Sequence, residues 1–227
     1  MKLRIVTTFI LGSALLPLHL SAASDVEKRL LIAAQAFKEV MGIPDKAIPQ
    51  DLLNKAQCVI IVPDLKKAAF VVGGKYGKGF VSCRKKDGVG WSAPGAIRIE
   101  GGSVGFQIGG SEMDVFMLVM NERGMERLLS TQFTLGGDAT VAAGPVGRST
   151  QAETDARMTA EILTWSRARG LFAGIALNGA TLREDEDWDI DMYGRAIKNR
   201  EIVTGAVAVP KGAATLMTEL DRYSSRK

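Results

Sequence analysis

Residues 58–83, CVIIVPDLKKAAFVVGGKYGKGFVSC, are the most informative segment for predicting the fold. It is rich in β-branched residues, and turn residues interrupt it at Pro63-Asp64 and Gly73-Gly74. Similar punctuation continues to residue 119, and the predicted strands are 58–62, 68–73, 79–85, 95–100, 103–109 and 113–119. Connections this short favour antiparallel pairing, because a parallel crossover needs about a dozen residues or more.

The flanking segments add helices and further strands. Residues 24–41 carry apolar side chains three and four positions apart, which predicts an amphipathic helix with a stripe of Val26, Leu30, Ala33, Phe37, Val40 and Met41. Further helices are predicted from Pro49, after Asn121 and from Pro210, and strands at 138–144, 160–167 and 170–178. We therefore predict one α+β domain, whose mainly antiparallel sheet is either open or curled into a barrel, with N-terminal, middle and C-terminal helices.

The first 23 residues have the pattern of a secretory signal peptide. Lys2 and Arg4 precede an apolar run over 5–20, and the small residues Ser21 and Ala23 would precede cleavage before Ser24. We expect residues 24–227 to form the mature domain, periplasmic or exported and peripheral to a membrane.

The histidine content excludes several kinds of active site. His19 is the only histidine of the chain, and it lies in the predicted signal peptide. The mature chain could therefore build neither a Ser-His-Asp triad nor a His-ligated zinc site. We expect no enzyme, no cofactor and no metal. The predicted mature chain has 27 basic and 25 acidic residues, so its overall charge is nearly balanced.

Cys58 and Cys83 both lie in predicted strands. Two interpretations remain open. In an oxidising compartment they could form a disulfide between neighbouring strands, and otherwise they are two small buried apolar side chains. Without a histidine to activate it, neither is expected to be a nucleophile.

The glycine-rich segment GGKYGKG, residues 73–79, resembles a phosphate-binding loop only superficially. Such a loop needs Ser or Thr after its Gly-Lys and a helix behind it, whereas Gly79 follows Lys78 and a strand is predicted next. We interpret the segment as a hairpin loop.

Cations cluster on the two predicted hairpins between residues 63 and 88. Against Asp64 and Asp87 stand Lys66, Lys67, Lys75, Lys78, Arg84, Lys85 and Lys86. The cluster could face an anionic surface, or it could be a solvated face that needs no partner.

The acidic counterpart lies at 184–191. Its spacing begins like a calcium-binding EF-hand loop, but Met192 and Lys198 stand where such a loop needs Gly and Glu. A solvated acidic loop, or one paired with the basic hairpins, is expected; an irregular calcium site is the alternative.

Several segments together resemble the SYLF lipid-binding domain family. They are residues 48–79, WSAPGAIRIEGGSVGFQIGG at 91–110, VMN at 119–121, LGGD at 135–138, GPVGR at 144–148, WSRARGLFAGIALNG at 165–179 and Tyr193-Gly194. Their order and spacing span nearly the whole predicted mature chain.

The resemblance implies a non-enzymatic module that binds membranes through an amphipathic helix and basic residues. Residue by residue, this role falls on the helix 24–41, with Lys28, Arg29 and Lys38 as its cations. The cations of the two predicted hairpins are also candidates for lipid binding, but only because they cluster in the sequence; the resemblance does not imply this role for them. For an exported chain the expected partner is an anionic phospholipid surface, with no nucleic acid; a protein partner cannot be named from the residues. The alternative is a structural or protein-interaction component of the bacterial envelope that binds no lipid, with the helix stripe packed as core.

Overall fold

The computed structural model describes residues 24–44, 47–70, 72–104, 109–147, 160–205 and 207–224. The helices are α1 (Asp25–Met41), α2 (Gln50–Lys55), α3 (Glu122–Leu128), α4 (Glu186–Tyr193), α5 (Asn199–Thr204) and α6 (Ala214–Ser224), the last preceded by a 3₁₀ turn at Lys211–Ala213. The strands are β1 (Cys58–Phe70), β2 (Val72–Cys83), β3 (Gly95–Val104), β4 (Gly109–Val119), β5 (Gln132–Thr134), β6 (Val141–Ala143), β7 (Ile162–Ala168), β8 (Leu171–Gly174) and β9 (Thr181–Glu184). The predicted signal peptide lies outside the described residues.

The strands form one strongly curled half-barrel sheet, so the predicted α+β class is confirmed. Their order is β5-β9-β3-β2-β1-β4-β7-β6, with β8 paired to β7. The pairs are antiparallel except β6 with β7. The strands predicted at 160–167 and 170–178 correspond to the hairpin of β7 and β8, which turns at Arg169-Gly170, and both turn residues have positive φ, of 49° and 79°. Such angles match the right-handed twist of the paired strands.

The sheet buries apolar side chains on both faces. Helices α1, α2 and α6 cover one face, where the core includes Phe37, Phe80, Phe116 and Trp165. The opposite, inner face is filled by a second core that includes Ile60, Leu65, Met117 and Leu182, and that core is extended by α3 and α5. No helix in the described part of the chain is long and apolar enough to cross a bilayer.

Two predicted turns are instead parts of long strands. Pro63-Asp64 is a bulge in β1, where the register shifts between Val62 and Leu65 and Asp64 has φ of 49°. The segment 73–79 is not a hairpin loop but part of β2, paired on both sides. A Cβ atom at Gly79 would lie 2.1 Å from the carbonyl oxygen of Ile61. Gly79 therefore permits the close approach of β1 and β2 at the bulge, and it does not form a turn.

Cys58 and Cys83 form a disulfide. They are direct partners on β1 and β2, and both side chains belong to the inner core. Of the two interpretations of the cysteines, the structure thus has the bridge between neighbouring strands.

Candidate functional site: the outward face of α1

The predicted helix 24–41 is confirmed, and its N-terminus is fixed by a capping box. Ser24 Oγ accepts a hydrogen bond from the Glu27 backbone N–H at 3.3 Å, and the Glu27 carboxylate accepts one from Ser24 N at 3.2 Å. The predicted apolar stripe is packed as core: apart from the partly buried Met41, its side chains are almost fully buried. The stripe is therefore not available to insert into lipid while α1 is docked.

A second, smaller apolar surface lies on the opposite side of the helix. Leu31 and Ile32 are 49% and 41% exposed. Lys28 and Lys38 occupy the same outward arc at helical spacing. We call these four residues, Leu31, Ile32, Lys28 and Lys38, the outward face of α1.

Both cations of this face lie within ion-pair distance of a carboxylate. Asp25 lies 3.2 Å from the Lys28 ammonium group, and Glu219 of α6 lies 4.0 Å from that of Lys38. Glu39 accepts a hydrogen bond from Arg167 of β7. This bond, followed by one from Gln35, lowers the pKa of the Glu39 carboxyl group. The outward face thus joins apolar and cationic groups on one rigid helix.

Arg29, the third predicted cation of the helix, points to the sheet. Its guanidinium donates hydrogen bonds of 3.0 Å to the Pro63 carbonyl oxygen and to the Asp64 carboxylate. The structure therefore separates Arg29 from Lys28 and Lys38.

The seven hairpin cations do not form a single exposed cluster. Lys66 lies 3.7 Å from Glu112 on β4, on the helix-covered side of the sheet. Lys67 and Lys75 are direct cross-strand partners on the other side. Neither has an ion-pair partner among the described residues, and burial, followed by the charge of Lys67, lowers the pKa of Lys75.

Lys78 is engaged with the acidic segment. Its ammonium group lies 2.8 Å from the carboxylate of Asp185, which is fully buried, and 4.5 Å from the centre of the Trp188 ring. The prediction that the acidic segment pairs with a basic hairpin is confirmed at this position. The alternative prediction, a solvated acidic loop, is wrong, because the segment forms helix α4, with Asp185 as its N-cap and Asp189 buried within it.

Asp189 is the most strongly perturbed group in this segment. Its carboxylate accepts a hydrogen bond of 2.8 Å from the Ala96 N–H. Burial raises its pKa to about 8, aided by the neighbouring charges of Glu184, Asp185 and Glu186. The described residues contain no group of carboxylates and thiols placed to hold a metal ion.

Arg84 is a buried residue rather than an exposed cation. Its guanidinium lies 3.7 Å from the centre of the Trp91 ring and donates hydrogen bonds to carbonyl oxygens of Leu53 and Ala56 and to Ser224. Lys85 and Lys86 follow it in an exposed loop at the far end of β2. The predicted hairpin cations are thus divided among five places in the fold, and lipid contact by any of them stays a prediction.

Comparison of the sequence with known proteins shows which family the chain belongs to. Residues 100–223, more than half of the chain, match the Ysc84 family, described as "Las17-binding protein actin regulator". The chain belongs to the Ysc84 (SYLF) family. The resemblance found in the sequence is thereby confirmed.

Relatives of this Ysc84 domain include SH3 domain-containing YSC84-like protein 1 from Bos taurus and Homo sapiens, each 36% identical over 209 residues. That alignment covers 89% of the present chain and about three-fifths of each relative, 61% and 60%. LAS seventeen-binding protein 3 from Saccharomyces cerevisiae is 33% identical over 211 residues, 90% of this chain and 45% of the relative. None of these names denotes an enzyme.

The sequence patterns missed Leu31 and Ile32 as surface residues of the Ysc84 domain. Both fall outside the three-and-four spacing of the buried stripe, and two adjacent large apolar residues in an otherwise polar arc are the signal that could have found them.

Proposed function

We propose that this protein is a non-enzymatic module that associates with anionic phospholipid membranes through the outward face of α1. The observation that carries the proposal is the exposure of Leu31 and Ile32 between Lys28 and Lys38 on a helix whose other side is anchored in the core. An interfacial helix presents this combination of apolar and cationic groups to a membrane.

The expected affinity follows from the size of the face. Covering the exposed half of two aliphatic side chains contributes about 1 kcal/mol each, and each cation near an anionic leaflet about 1 kcal/mol. A total of about 4 kcal/mol corresponds to a dissociation constant in the millimolar range. Binding is therefore weak, reversible and peripheral, and additional cations or several molecules acting together would strengthen it.

The compartment is part of the same proposal. The signal-like pattern of residues 1–23 would export the chain, and the disulfide between Cys58 and Cys83 supports an oxidising destination. The membrane would then be that of a bacterial envelope, with anionic phospholipids as ligands.

Protein binding is the second candidate, favoured by the names of the relatives. The yeast relative is named for binding LAS seventeen, and the family for binding Las17 and regulating actin. Here the same outward face would contact a protein instead of a lipid.

Sedimentation of the parent protein with vesicles distinguishes the two candidates. With phosphatidylglycerol vesicles we expect co-sedimentation that weakens as salt rises, because exposed charges are screened within about 10 Å at 0.1 M ionic strength. Phosphatidylcholine vesicles serve as the neutral control. No sedimentation with either, or equal sedimentation with both, would overturn the electrostatic membrane proposal.

A further inference from the structure

A groove of about 970 Å³ lies at the far end of β2, between the β2–β3 loop and the segment that follows α5. Its size is at the upper end of the range of about 300–1,000 Å³ found for small-molecule sites. The apolar side chains that line it include Ala93, Trp91, Met125, Val203, Val207 and Val209. Val209 is 43% exposed, so the apolar surface is open to solvent.

Cations line the other side of the same groove. Arg84, Lys85 and Lys86 are consecutive lining residues, and Asp87 is the carboxylate among them. The Asp87 carboxylate accepts a hydrogen bond of 3.0 Å from the Val89 N–H, which directs it to its own turn. This wall therefore carries an excess of positive charge.

The cationic wall is held in place by the fold. Arg84 is buried against Trp91 and bonded to α2 and the end of α6. Within the loop, Gly88 N–H donates to the Lys85 carbonyl oxygen at 2.8 Å. Lys85 faces Asp221 of α6. Burial raises the pKa of the Asp221 carboxyl group, and the charges of Lys85 and Arg84 oppose this rise only in part. Lys86 has no carboxylate within ion-pair distance in the part of the chain that the structure describes.

We infer that this groove binds one phospholipid molecule of anionic charge, with its phosphate against Lys85 and Lys86 and an acyl chain along Val207 and Val209. The inference rests on the proposed membrane association and adds to it a site for a single lipid. An apolar floor beside a wall that carries more cations than carboxylates matches the two chemically distinct parts of such a molecule.

The test uses a lipid that is soluble as a monomer, dihexanoyl phosphatidylglycerol below its micellar concentration. Calorimetric titration of the whole protein should give saturable binding of one lipid per chain, and the zwitterionic phosphatidylcholine analogue should bind more weakly. Changing Lys85→Gln together with Lys86→Gln should weaken binding about tenfold or more. Val209→Asp should weaken it similarly, because the acyl chain would meet a charge.

Val89→Asn is the control on the same loop. Val89 is 50% exposed but does not line the groove, so this uncharged polar variant should bind the lipid as the parent does. Lipid binding retained by the Lys85/Lys86 and Val209 variants would overturn the groove. If inorganic phosphate bound as tightly as the lipid, the groove would also be overturned, since the acyl chain would then contribute nothing to binding.

The failures of the two proposals are distinguishable. A parent that sediments with anionic vesicles but binds no monomeric lipid overturns the groove and leaves the outward face of α1 standing. A parent that does neither overturns both.

Discussion

Arg29 Nη1 lies 3.0 Å from the Asp64 carboxylate, and this contact fastens α1 to the bulge of β1. The neighbouring residue Lys28 points to the opposite side and is paired with Asp25 on its own helix. Two cations that are adjacent in the sequence therefore have different roles. Arg29 holds the helix on the sheet, and Lys28 belongs to the surface that we propose to meet a membrane.

Arg29→Gln and Lys28→Gln should separate these roles. Arg29→Gln removes a partly buried ion pair and a hydrogen bond, so it should lower the free energy of unfolding by about 1 kcal/mol and leave vesicle binding unchanged. Lys28→Gln should change stability by less than about 0.5 kcal/mol and weaken vesicle binding about fivefold. Chemical unfolding and vesicle titration of both variants check this; the reverse assignment of effects would contradict it.

Phe37→Asp should destabilise the fold severely. Phe37 projects from α1 and is fully buried against the sheet and α6, with the centre of its ring 5.9 Å from that of Tyr223. Losing the ring costs about 3–5 kcal/mol, and a buried unpaired carboxylate adds to that. Thermal unfolding measures the effect, with Leu31→Asp on the outward face as the control that should unfold near the parent temperature. A stable Phe37→Asp protein would mean that α1 is not docked as the structure has it.

Replacing both cysteines, Cys58→Ala with Cys83→Ala, should lower the free energy of unfolding by about 3 kcal/mol. The bridge closes a loop with a sequence separation of 25 residues, and its main effect is to restrict the unfolded chain. Denaturant unfolding of the parent and of the double variant, both without reductant, gives the difference. If alkylation without reductant labels both thiols of the parent, the bridge is absent and this prediction is wrong.

Asp189 should make stability fall as pH rises from about 4 to about 8. Its pKa is about 8 in the fold against an ordinary value of 3.8, so in this range the folded state binds a proton that the unfolded state has lost. The slope is at most about 1.4 kcal/mol per pH unit, and it vanishes below the lower pKa and above the higher one. Asp189→Asn keeps an acceptor for the Ala96 N–H but cannot ionise.

Unfolding free energies of the parent and of Asp189→Asn, measured at about pH 5 and about pH 8, test this linkage. The variant should gain stability relative to the parent at the higher pH. A constant difference between the two proteins would show that the Asp189 carboxyl group titrates with its ordinary pKa.

The fold class and most elements followed from local patterns in the sequence. The periodicity of residues 24–41, the cap at Asn121 and the turn at Arg169-Gly170 each have a local physical cause, and the structure has all three. The pattern could not distinguish a turn from a bulge at Asp64, or a loop glycine from a packing glycine at Gly79. Both depend on which strand lies alongside.

The candidate site was less accessible to sequence reasoning, because charge clustering ignores direction. Lys66 and Lys67 are adjacent, yet alternate strand residues point to opposite faces, so one pairs with Glu112 and the other opposes Lys75. Helix α4 was missed because its acidic segment was interpreted as a loop. Burial of Asp185 and Asp189 becomes intelligible only with Lys78 and the Ala96 N–H as their tertiary partners.

The outward face of α1 has a matched counterpart on the same protein. Ile190 on α4 is 43% exposed, close to the 41% of Ile32, and it also lies on a helix. Its exposed neighbours include the acidic residues Glu186, Asp187 and Asp191. An anionic membrane should be repelled there, so Ile190→Asp is a control for apolar exposure without cations.

Sedimentation of the double variant Leu31→Asp with Ile32→Asp, using phosphatidylglycerol vesicles, tests the central claim most directly. We expect this variant to unfold near the parent temperature but to lose at least about tenfold in vesicle binding, whereas Ile190→Asp should bind as the parent does. If the folded Leu31/Ile32 variant sediments with the vesicles as well as the parent, the outward face of α1 does not bind the membrane.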